Sequence, residues 1–347
     1  LNKYKIYNLS NIINKFKSVR FIKYFSKPIS LLIRYPLFIL NIFSLKNLFL
    51  QSKANRLLVI NGGYPGSDIC RAATISWGIF TINKLSIHNF HNIAQKPHRV
   101  LLLFEYLIDK MINKYSTHLI SVSKFSAESI LTRLGFNDTK KIRYVYNGIS
   151  PQKNIEQTSL RSEININKND KICTMLGTFE PRKGHEFVLD AFRKVVDRIP
   201  ETHLIFAGYG SKKEIGYVNE LVNKYGLNDN VHILKFREDK ENLLLQTDIL
   251  IIGSQAYESF GYTAIEAMAS KVPVVATNIG GLPEVVKDGE GGYCLKYDDV
   301  DNYSNKIIEL LQDKKLRIDQ GIKGYYRYKN KFSAKEMAEK YYKLIKE

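Results

Sequence analysis

The segment Glu258-Ser-Phe-Gly-Tyr-Thr-Ala-Ile-Glu266 carries the most informative pattern in this chain of 347 residues. Its glycine, Gly261, marks the predicted start of a helix. Backbone N–H groups are free there and the helix dipole is positive, so the position suits a phosphate. The carboxylates of Glu258 and Glu266 offer acceptor lone pairs for sugar hydroxyls. The segment indicates a site for a sugar nucleotide, although two isolated glutamates at this spacing are usually solvated helix charges.

Two apolar runs of strand length flank this segment. Residues 248–253 precede it, and residues 271–277 follow it and lead into Gly280-Gly281-Leu-Pro-Glu284. A strand–loop–helix–strand unit places its loop and helix start at the carboxyl edge of a parallel sheet, where open α/β folds bind ligands. The flanking runs therefore favour a ligand site over solvated charges.

Predicted strands and helices alternate through the rest of the second half. Apolar periodicity gives strands at 172–177, 203–207 and 231–234, and helices at 187–196, 213–225, 242–246, 302–311 and 334–345. This order predicts a parallel sheet with helices on both faces. In the first half, strands are predicted at 57–60, 85–87, 119–122 and 144–146.

The region from 248 to 295 resembles the retaining, two-domain nucleotide-sugar glycosyltransferases of the GT-B fold, known as glycosyltransferase family 4 or glycosyl transferases group 1. Their hallmark is a Glu, seven residues and a second Glu. The resemblance covers nearly all of residues 144–347 and, more loosely, 57–143. It implies that Glu258 faces the donor sugar and that Glu266 holds the nucleotide ribose. It also implies that the diphosphate lies against the backbone amides of Phe260, Gly261, Tyr262 and Thr263.

This resemblance implies an α/β protein with two facing, doubly wound Rossmann-like domains. We expect an N-terminal, acceptor-binding domain over 1–150 and a C-terminal, nucleotide-sugar-binding domain over 151–332. A final helix over 333–347 is expected to return to the first domain, and the polar run 150–170 is expected to act as a linker. The family's opening strand–glycine loop–helix unit has no counterpart before Asn8, so we expect an incomplete N-terminal domain.

The stretch Gly177-Thr-Phe-Glu-Pro-Arg-Lys-Gly184 follows the first predicted strand of the second domain. A cation at a helix start there would neutralise a diphosphate leaving group. By resemblance, Gly177 and Thr178 lie at the donor, and Lys183 matches the second of two basic positions in the family. Thr178 stands at the first, so we expect Arg182 to compensate, since its fork suits phosphate. The alternative is a surface helix start with solvated charges.

Two further positions are predicted to contact the nucleotide. Gly208, in Gly208-Tyr-Gly210, falls at a strand end where a small residue would admit a base or ribose, although a tight turn explains it equally well. Arg237 follows the strand at 231–234, where family members contact the base.

The candidate catalytic histidine is His88, at the end of a predicted strand in the first half. The resemblance implies a role near the acceptor or the donor sugar, and His91 is the competing candidate. No Asp-x-Asp motif suited to Mg²⁺–diphosphate binding is recognised in a strand-end context, so we expect catalysis without a metal or another cofactor.

The net charge of +18 is concentrated in the first half of the chain. Residues 1–150 hold 22 Lys and Arg against 5 Asp and Glu, a net +17, and no acidic residue precedes Asp68. Such a half favours a polyanionic partner, either nucleic acid or an anionic membrane. Apolar and aromatic side chains alternate with the charges between Lys3 and Lys53, so we expect a membrane surface, and a peripheral protein on the inner face of the cytoplasmic membrane.

The most apolar region, 29–50, is interrupted by Arg34, Pro36, Asn41 and Lys46. It is predicted to form one or two amphipathic helices that are packed or interfacial, and no segment is expected to span a bilayer. The three cysteines are widely spaced, which argues against a disulfide framework and favours a reducing compartment.

The predicted function is transfer of a hexose from a UDP- or GDP-sugar to a lipid-linked or polysaccharide acceptor in cell-surface glycan synthesis, with retention implied by the resemblance. One alternative is a nucleotide-sugar epimerase or hydrolase of the same fold. A dinucleotide-dependent oxidoreductase would need a G-x-G-x-x-G/A loop, which residues 208–213 do not complete. A basic nucleic-acid-binding module would show tight binding without sequence preference at physiological salt.

Overall fold

The computed structural model describes residues 22–81, 85–150 and 160–347. Two compact units make up the chain, an N-terminal unit of Leu1–Val145 with Tyr342–Glu347 and a C-terminal unit of Tyr146–Tyr341. Positions 151–159 of the predicted linker lie outside the described residues. So do residues 1–21, which include the stretch before Asn8.

The N-terminal unit contains a parallel sheet of four described strands in the order β1-β2-β3-β4. The strands are β1 (Arg56–Asn61), β2 (Leu85–Phe90), β3 (His118–Ser121) and β4 (Ile142–Tyr144). The helices are α1 (Ile22–Gln51), α2 (Asp68–Phe80), α3 (Leu102–Tyr115) and α4 (Lys124–Ile130), with 3-10 turns at Arg99–Leu101 and Thr139–Lys141. The strands predicted in this half are all present.

The predicted amphipathic region forms a single helix, α1. One of its faces packs into the core of the N-terminal unit through four buried side chains, those of Phe38, Ile42, Leu45 and Phe49. The ring of Phe49 meets that of Trp77 on α2 edge to face at 5.3 Å. Burying each such side chain contributes about 1.5–3 kcal/mol. The core therefore fixes α1 along one side.

The prediction that no segment could span a bilayer needs correction for this helix. By length and apolar composition alone, Ile33–Gln51 is able to cross a membrane, with a mean hydropathy of 1.2. The interrupting residues are too few to lower the average over a helix of this length. The same test is passed by core helices of soluble proteins, and 28% of this window is buried.

The C-terminal unit contains a parallel sheet of six described strands in the order β10-β9-β8-β5-β6-β7. The strands are β5 (Lys171–Leu176), β6 (Thr202–Gly208), β7 (Val231–Lys235), β8 (Ile249–Ile252), β9 (Val274–Thr277) and β10 (Gly292–Leu295). The helices are α5 (Leu160–Glu163), α6 (His185–Val196), α7 (Lys212–Lys224), α8 (Lys240–Leu245), α9 (Tyr262–Ala269), α10 (Leu282–Val285), α11 (Val300–Gln312) and α12 (Lys314–Lys331). The last helix, α13 (Ala334–Lys346), begins in this unit, and its residues from Tyr342 onward belong to the N-terminal unit. The predicted parallel α/β arrangement is confirmed.

Apolar spacing explains how this sheet is covered. On α6, the side chains of Val188, Leu189, Phe192 and Val195 follow the three- and four-residue intervals of one helical face, and all four are buried. Every residue of β8 is buried, as expected for a central strand with helices on both faces. A rigid sheet with well-defined strand ends follows from this packing.

Candidate active site

The site lies at the point where the strand order of the C-terminal sheet reverses. From β5 the chain continues outward through β6 and β7, and from β8 it continues the other way through β9 and β10. Strands β5 and β8 are direct neighbours, with Cys173 opposite Ile249. Loops leaving such a pair diverge, and the crevice between them is the usual ligand site of open α/β sheets. The two loops in question are 177–184 and 253–261.

Lys183 and Glu258 meet across this crevice. The Lys183 Nζ lies 2.6 Å from Glu258 Oε2, and the two side chains are only 17% and 18% exposed. The turn that aims Lys183 depends on Gly184, whose left-handed backbone has φ 74° and whose Cβ, if present, would lie 1.9 Å from the Gly253 carbonyl oxygen. The structure thus brings together two of the four residues that the sequence predicts to be catalytic, and the other two, Arg182 and His88, are not part of this pair.

The backbone of Glu258 is held by the glycine pair that follows β9. The N–H of Gly281 donates to the Glu258 carbonyl oxygen at 2.8 Å. Gly280 has φ 63°, and a Cβ on it would lie 2.1 Å from that oxygen. The Gly280-Gly281 motif therefore fixes the position of the carboxylate-bearing loop.

Helix α9 begins in the same crevice. Its N-cap is Gly261, with φ 113° and ψ 61°, and no side chain caps the first turn. The amides of Tyr262 and Thr263 open this helix, so they are available to an anion. The Phe260 ring instead packs against Tyr146 and Phe332 in the core, so only its backbone can face a ligand.

Glu266, in the second turn of α9, pairs with a lysine that the sequence analysis did not single out. The Lys240 Nζ lies 2.5 Å from Glu266 Oε1, and Glu266 is largely buried. Lys240 begins α8, directly after the loop that leaves β7. Each of the two signature glutamates is therefore matched with a lysine from a different loop.

The residues around Lys183 have different surroundings. The Lys183 side chain runs past Gly177, close enough to lie 3.8 Å from a Cβ built there. The Thr178 hydroxyl oxygen is buried without a hydrogen-bond partner in the described part of the chain. Arg182 pairs with Glu180 and lies 4.9 Å above the Tyr257 ring, so its guanidinium is engaged away from Glu258.

Gly208 and Arg237 each have a structural role. A Cβ on Gly208 would lie 1.6 Å from the Gly177 carbonyl oxygen, so the close approach of two backbones requires glycine there. Arg237 donates to Glu163 at 2.6 Å and to Asp239 at 2.8 Å, which ties β7 to α5. These bonds raise the pKa of the Arg237 guanidinium, with Asp239 the larger cause.

An exposed aromatic pair stands beside these two residues at the carboxyl ends of β6 and β7. The rings of Tyr209 and Phe236 are stacked, with centroids 4.2 Å apart and planes 12° apart. They are 63% and 47% exposed. Lys240, which pairs with Glu266, follows Phe236 by four positions in the sequence. Sequence reasoning missed this pair because single aromatic residues after a strand carry no periodic signal.

His88 lies in the N-terminal unit and is completely buried. Its Nδ1 is 2.8 Å from the Thr74 hydroxyl and its Nε2 is 3.4 Å from the Asn61 amide. Burial, and to a smaller degree the charge of Arg71, lowers the pKa of His88 to about 3. The imidazole is therefore neutral at physiological pH. His91, the competing candidate, is only partly buried.

One Asp-x-Asp triplet, Asp299-Val-Asp301, follows β10, and both carboxylates have other partners. Asp299 caps α11 by accepting from the Asn302 N–H at 3.0 Å. Asp301 pairs with Lys194 at 2.6 Å. Among the described residues, no group of three or more His, Cys, Asp or Glu side chains is arranged to hold a metal ion.

This geometry describes a site for an anion next to a polyhydroxyl group. Two lysines and the open end of α9 supply positive charge, and two carboxylates supply hydrogen-bond acceptors. A doubly wound α/β protein that binds a phosphorylated, hydroxyl-rich ligand at its switch point is the class that fold and site define.

Comparison with known proteins supports the family resemblance. Residues 156–327 match the model of the family "Glycosyl transferases group 1". This match confirms the resemblance seen around Glu258 and Glu266, and the matched region belongs to that family. Structural likeness confirms the GT-B fold with its Rossmann-like units: Anabaena Alr3699/HepE in complex with UDP has a TM-score of 0.73 at 19% identity, over 90% of this chain and 82% of that chain.

Two curated relatives illustrate the range of the family. N-acetyl-alpha-D-glucosaminyl L-malate synthase of Bacillus anthracis is 29% identical over 204 residues, which are 58% of this chain and 52% of that protein. UDP-Gal:alpha-D-GlcNAc-diphosphoundecaprenol alpha-1,3-galactosyltransferase of Escherichia coli is 25% identical over 243 residues, 67% of this chain and 61% of that protein. The matched segments thus span little more than half the length of these relatives.

Proposed function

We propose that this chain transfers a hexose from a nucleotide-diphosphate sugar to a lipid-linked or polysaccharide acceptor, with retention of the anomeric configuration, in cell-surface glycan synthesis. The observation that carries the proposal is the Lys183–Glu258 pair at 2.6 Å, at the reversal point of the C-terminal sheet and beside the start of α9. UDP is the nucleotide to test first, since Alr3699/HepE has been solved with UDP and with UDP-glucose.

In this proposal the donor diphosphate lies against the backbone amides of residues 260–263. Positive charge from Lys183 and the α9 dipole stabilises the diphosphate as it leaves, which is the main electrostatic demand of glycosyl transfer. Arg182 would assist only after exchanging Glu180 for phosphate. The unpartnered Thr178 hydroxyl offers a further donor. We propose that no metal or other cofactor takes part.

Glu258 is proposed to hold hydroxyls of the donor sugar, and Glu266 those of the ribose. Each carboxylate has a lysine at one oxygen, which leaves the other oxygen to accept from a substrate hydroxyl. A carboxylate partly neutralised by a lysine suits hydroxyl recognition. We therefore assign Glu258 to the positioning of the sugar in the reaction and do not assign it the role of a covalent nucleophile.

The acceptor is proposed to bind the N-terminal unit, and the enzyme to work at the inner face of the cytoplasmic membrane. The support is the net +17 charge of residues 1–150 and the name of the Escherichia coli relative, a galactosyltransferase of a diphosphoundecaprenol-linked sugar. Basic residues near an anionic membrane contribute about 1 kcal/mol each to binding.

The test is a sugar-transfer assay with product analysis after a thermal-shift screen of UDP, GDP, ADP and their sugars. Glu258→Ala should abolish transfer and leave UDP affinity within about threefold, because it removes sugar contacts and not diphosphate contacts. Glu309→Ala, which removes a partly exposed glutamate of α11, is the matched control. Normal turnover by Glu258→Ala would show that Glu258 is not part of the active site. Release of free hexose without an acceptor would favour the hydrolase alternative, and release of an epimer would favour the epimerase alternative.

A further inference from the structure

An exposed apolar stripe runs along the turn Arg99–Leu101 and helix α3 of the N-terminal unit. Val100, Leu103, Phe104 and Leu107 recur at three- and four-residue intervals, so they lie on one face. Val100 is 76% exposed and Leu103 67%. Single exposed apolar residues are ordinary, but a contiguous set of four large ones marks an interaction surface. We call these four residues the α3 stripe.

The acidic residues of α3 point away from the α3 stripe and are buried. Glu105 accepts hydrogen bonds from Arg71 at 2.9 Å and from Arg133 at 2.6 Å. Asp109 accepts from Arg133 at 2.9 Å and also from the Tyr64 hydroxyl. Buried carboxylates of this kind are neutralised by their arginine partners and contribute little field outside the protein.

The outer surface of α3 therefore presents only apolar and positive groups. Arg99, Lys110 and Lys114 are exposed at the two ends of the stripe, and the two acids of the helix are turned inward. The buried ion pairs thus have a consequence at the surface, because outward-facing Glu105 and Asp109 would offset two of the three positive charges.

A second exposed apolar face lies on α1. Ile39, Leu40, Phe43 and Leu50 are all about half exposed, while the opposite face of the helix is packed in the core. The helix carries no acidic residue. Its Tyr35 ring stacks on Phe104 of the α3 stripe with centroids 4.8 Å apart, so the two helices touch where the exposed faces begin.

We propose that the α3 stripe, together with the exposed apolar face of α1, inserts into the surface of an anionic lipid bilayer. Arg99, Lys110 and Lys114 would lie at the headgroup phosphates. Apolar side chains rimmed by lysine and arginine are the composition of interfacial helices on anionic membranes. This inference rests on the proposed function, which puts the enzyme at a membrane, and assigns the residues that make contact.

Charge favours a bilayer over a second copy of this chain as the occupant. A symmetric dimer through this surface would bring two like-charged faces together, and each N-terminal half carries +17. An anionic bilayer supplies the opposite charge and an apolar interior at the same time. By pairing with the acids of α3 inside the unit, Arg71 and Arg133 leave the outer surface of this helix positive, as binding to an anionic bilayer requires.

The test is vesicle flotation of the full chain with phosphatidylcholine alone and with added phosphatidylglycerol, at low and high salt. The variant Leu103→Glu/Leu107→Glu places two charges in the stripe. We expect its affinity for anionic vesicles to fall by about tenfold or more, since apolar burial and charge attraction are both lost. The matched control is Leu131→Glu/Leu134→Glu, which adds the same charge at exposed leucines of the same unit and should change affinity less than about threefold.

Several outcomes would overturn the inference. These are equal vesicle binding by Leu103→Glu/Leu107→Glu and its control, equal binding of the wild type to neutral and anionic vesicles, or a lipid-free dimer that only the stripe variant dissociates. Circular dichroism and UDP titration of both variants separate this result from the proposed function. A protein that floats with vesicles but binds no nucleotide contradicts the donor assignment. A protein that binds UDP, and whose vesicle binding is unchanged by the stripe substitutions, contradicts the proposed membrane surface.

Discussion

At the residue scale, the site consists of two glutamates and two lysines. Lys183 was predicted because it stands in a motif beside a strand end. Lys240 was not predicted, because it begins α8, at a distance in sequence from its partner Glu266, and a lysine at a helix start has no distinguishing pattern. Pairing of this kind is set by the strand order, which brings separate loops to one edge. The site's charge balance could therefore be described only from the structure.

The exposed pair of Tyr209 and Phe236 gives a prediction about the base. A nucleobase stacked on these rings would contribute about 1–3 kcal/mol, so Phe236→Ala should weaken UDP binding by about tenfold and leave pyrophosphate binding unchanged. Calorimetry with both ligands measures this difference. Tyr326→Ala removes a comparably exposed ring on α12 and serves as the control. Equal losses for UDP and pyrophosphate would mean that the pair supports the loop and does not bind the base.

The burial of His88 gives a prediction about pH. Its pKa is about 3 when folded, below the value near 6.5 expected when unfolded, so the unfolded state takes up a proton first as the pH falls. The free energy of unfolding of the wild type should therefore fall by about 2 kcal/mol between pH 7 and pH 5 because of His88. The His88→Asn variant should not show this loss. Urea unfolding followed by Trp77, the single tryptophan and a buried residue of the same unit, reports this directly. The exposed His98→Asn is the control, and identical pH slopes in wild type and His88→Asn would show that His88 is not held neutral.

At the element scale, the loop after β8 depends on the loop after β9. Gly280→Ala should reduce both stability and transfer, because its Cβ would meet the Glu258 carbonyl oxygen at 2.1 Å and displace the carboxylate. The control is Gly289→Ala, at φ 73° with nothing within 4 Å, which carries the backbone strain without the clash. Left-handed strain alone costs about 1 kcal/mol in either variant. Urea unfolding and turnover are measured for both variants. Equal turnover would show that the Gly280-Gly281 motif does not determine the position of Glu258.

Elements were predictable where packing depends on apolar side chains. The strands at 172–177, 203–207 and 231–234 and helix α6 follow regular apolar spacing, and the structure confirms them. Helix α12 was missed because it packs through glycines: a Cβ on Gly321 would lie 2.1 Å from the Lys271 carbonyl oxygen, and Gly324 meets Gly291. A helix that approaches its neighbours by lacking side chains leaves no periodic signal in the sequence.

At the scale of the whole molecule, charge and chemistry are divided between the two units. The positive charge is concentrated in the first half, and the signature of the family lies in residues 156–327 of the second. Composition was enough to predict this division. It could not show that the acids of α3 are buried against Arg71 and Arg133, because the partners of a buried charge are chosen by tertiary packing.

The central claim is that a nucleotide diphosphate is bound at the reversal point of the C-terminal sheet. Calorimetric titration of the full chain with UDP tests it most directly, with Lys183→Ala, Glu266→Gln and, as a control, Lys194→Ala, which lies on the nearby α6 and pairs with Asp301. We predict that Lys183→Ala and Glu266→Gln each weaken UDP binding by about tenfold or more, equivalent to about 1.4 kcal/mol, and that the control matches the wild type. Wild-type affinity in both site variants would contradict the account.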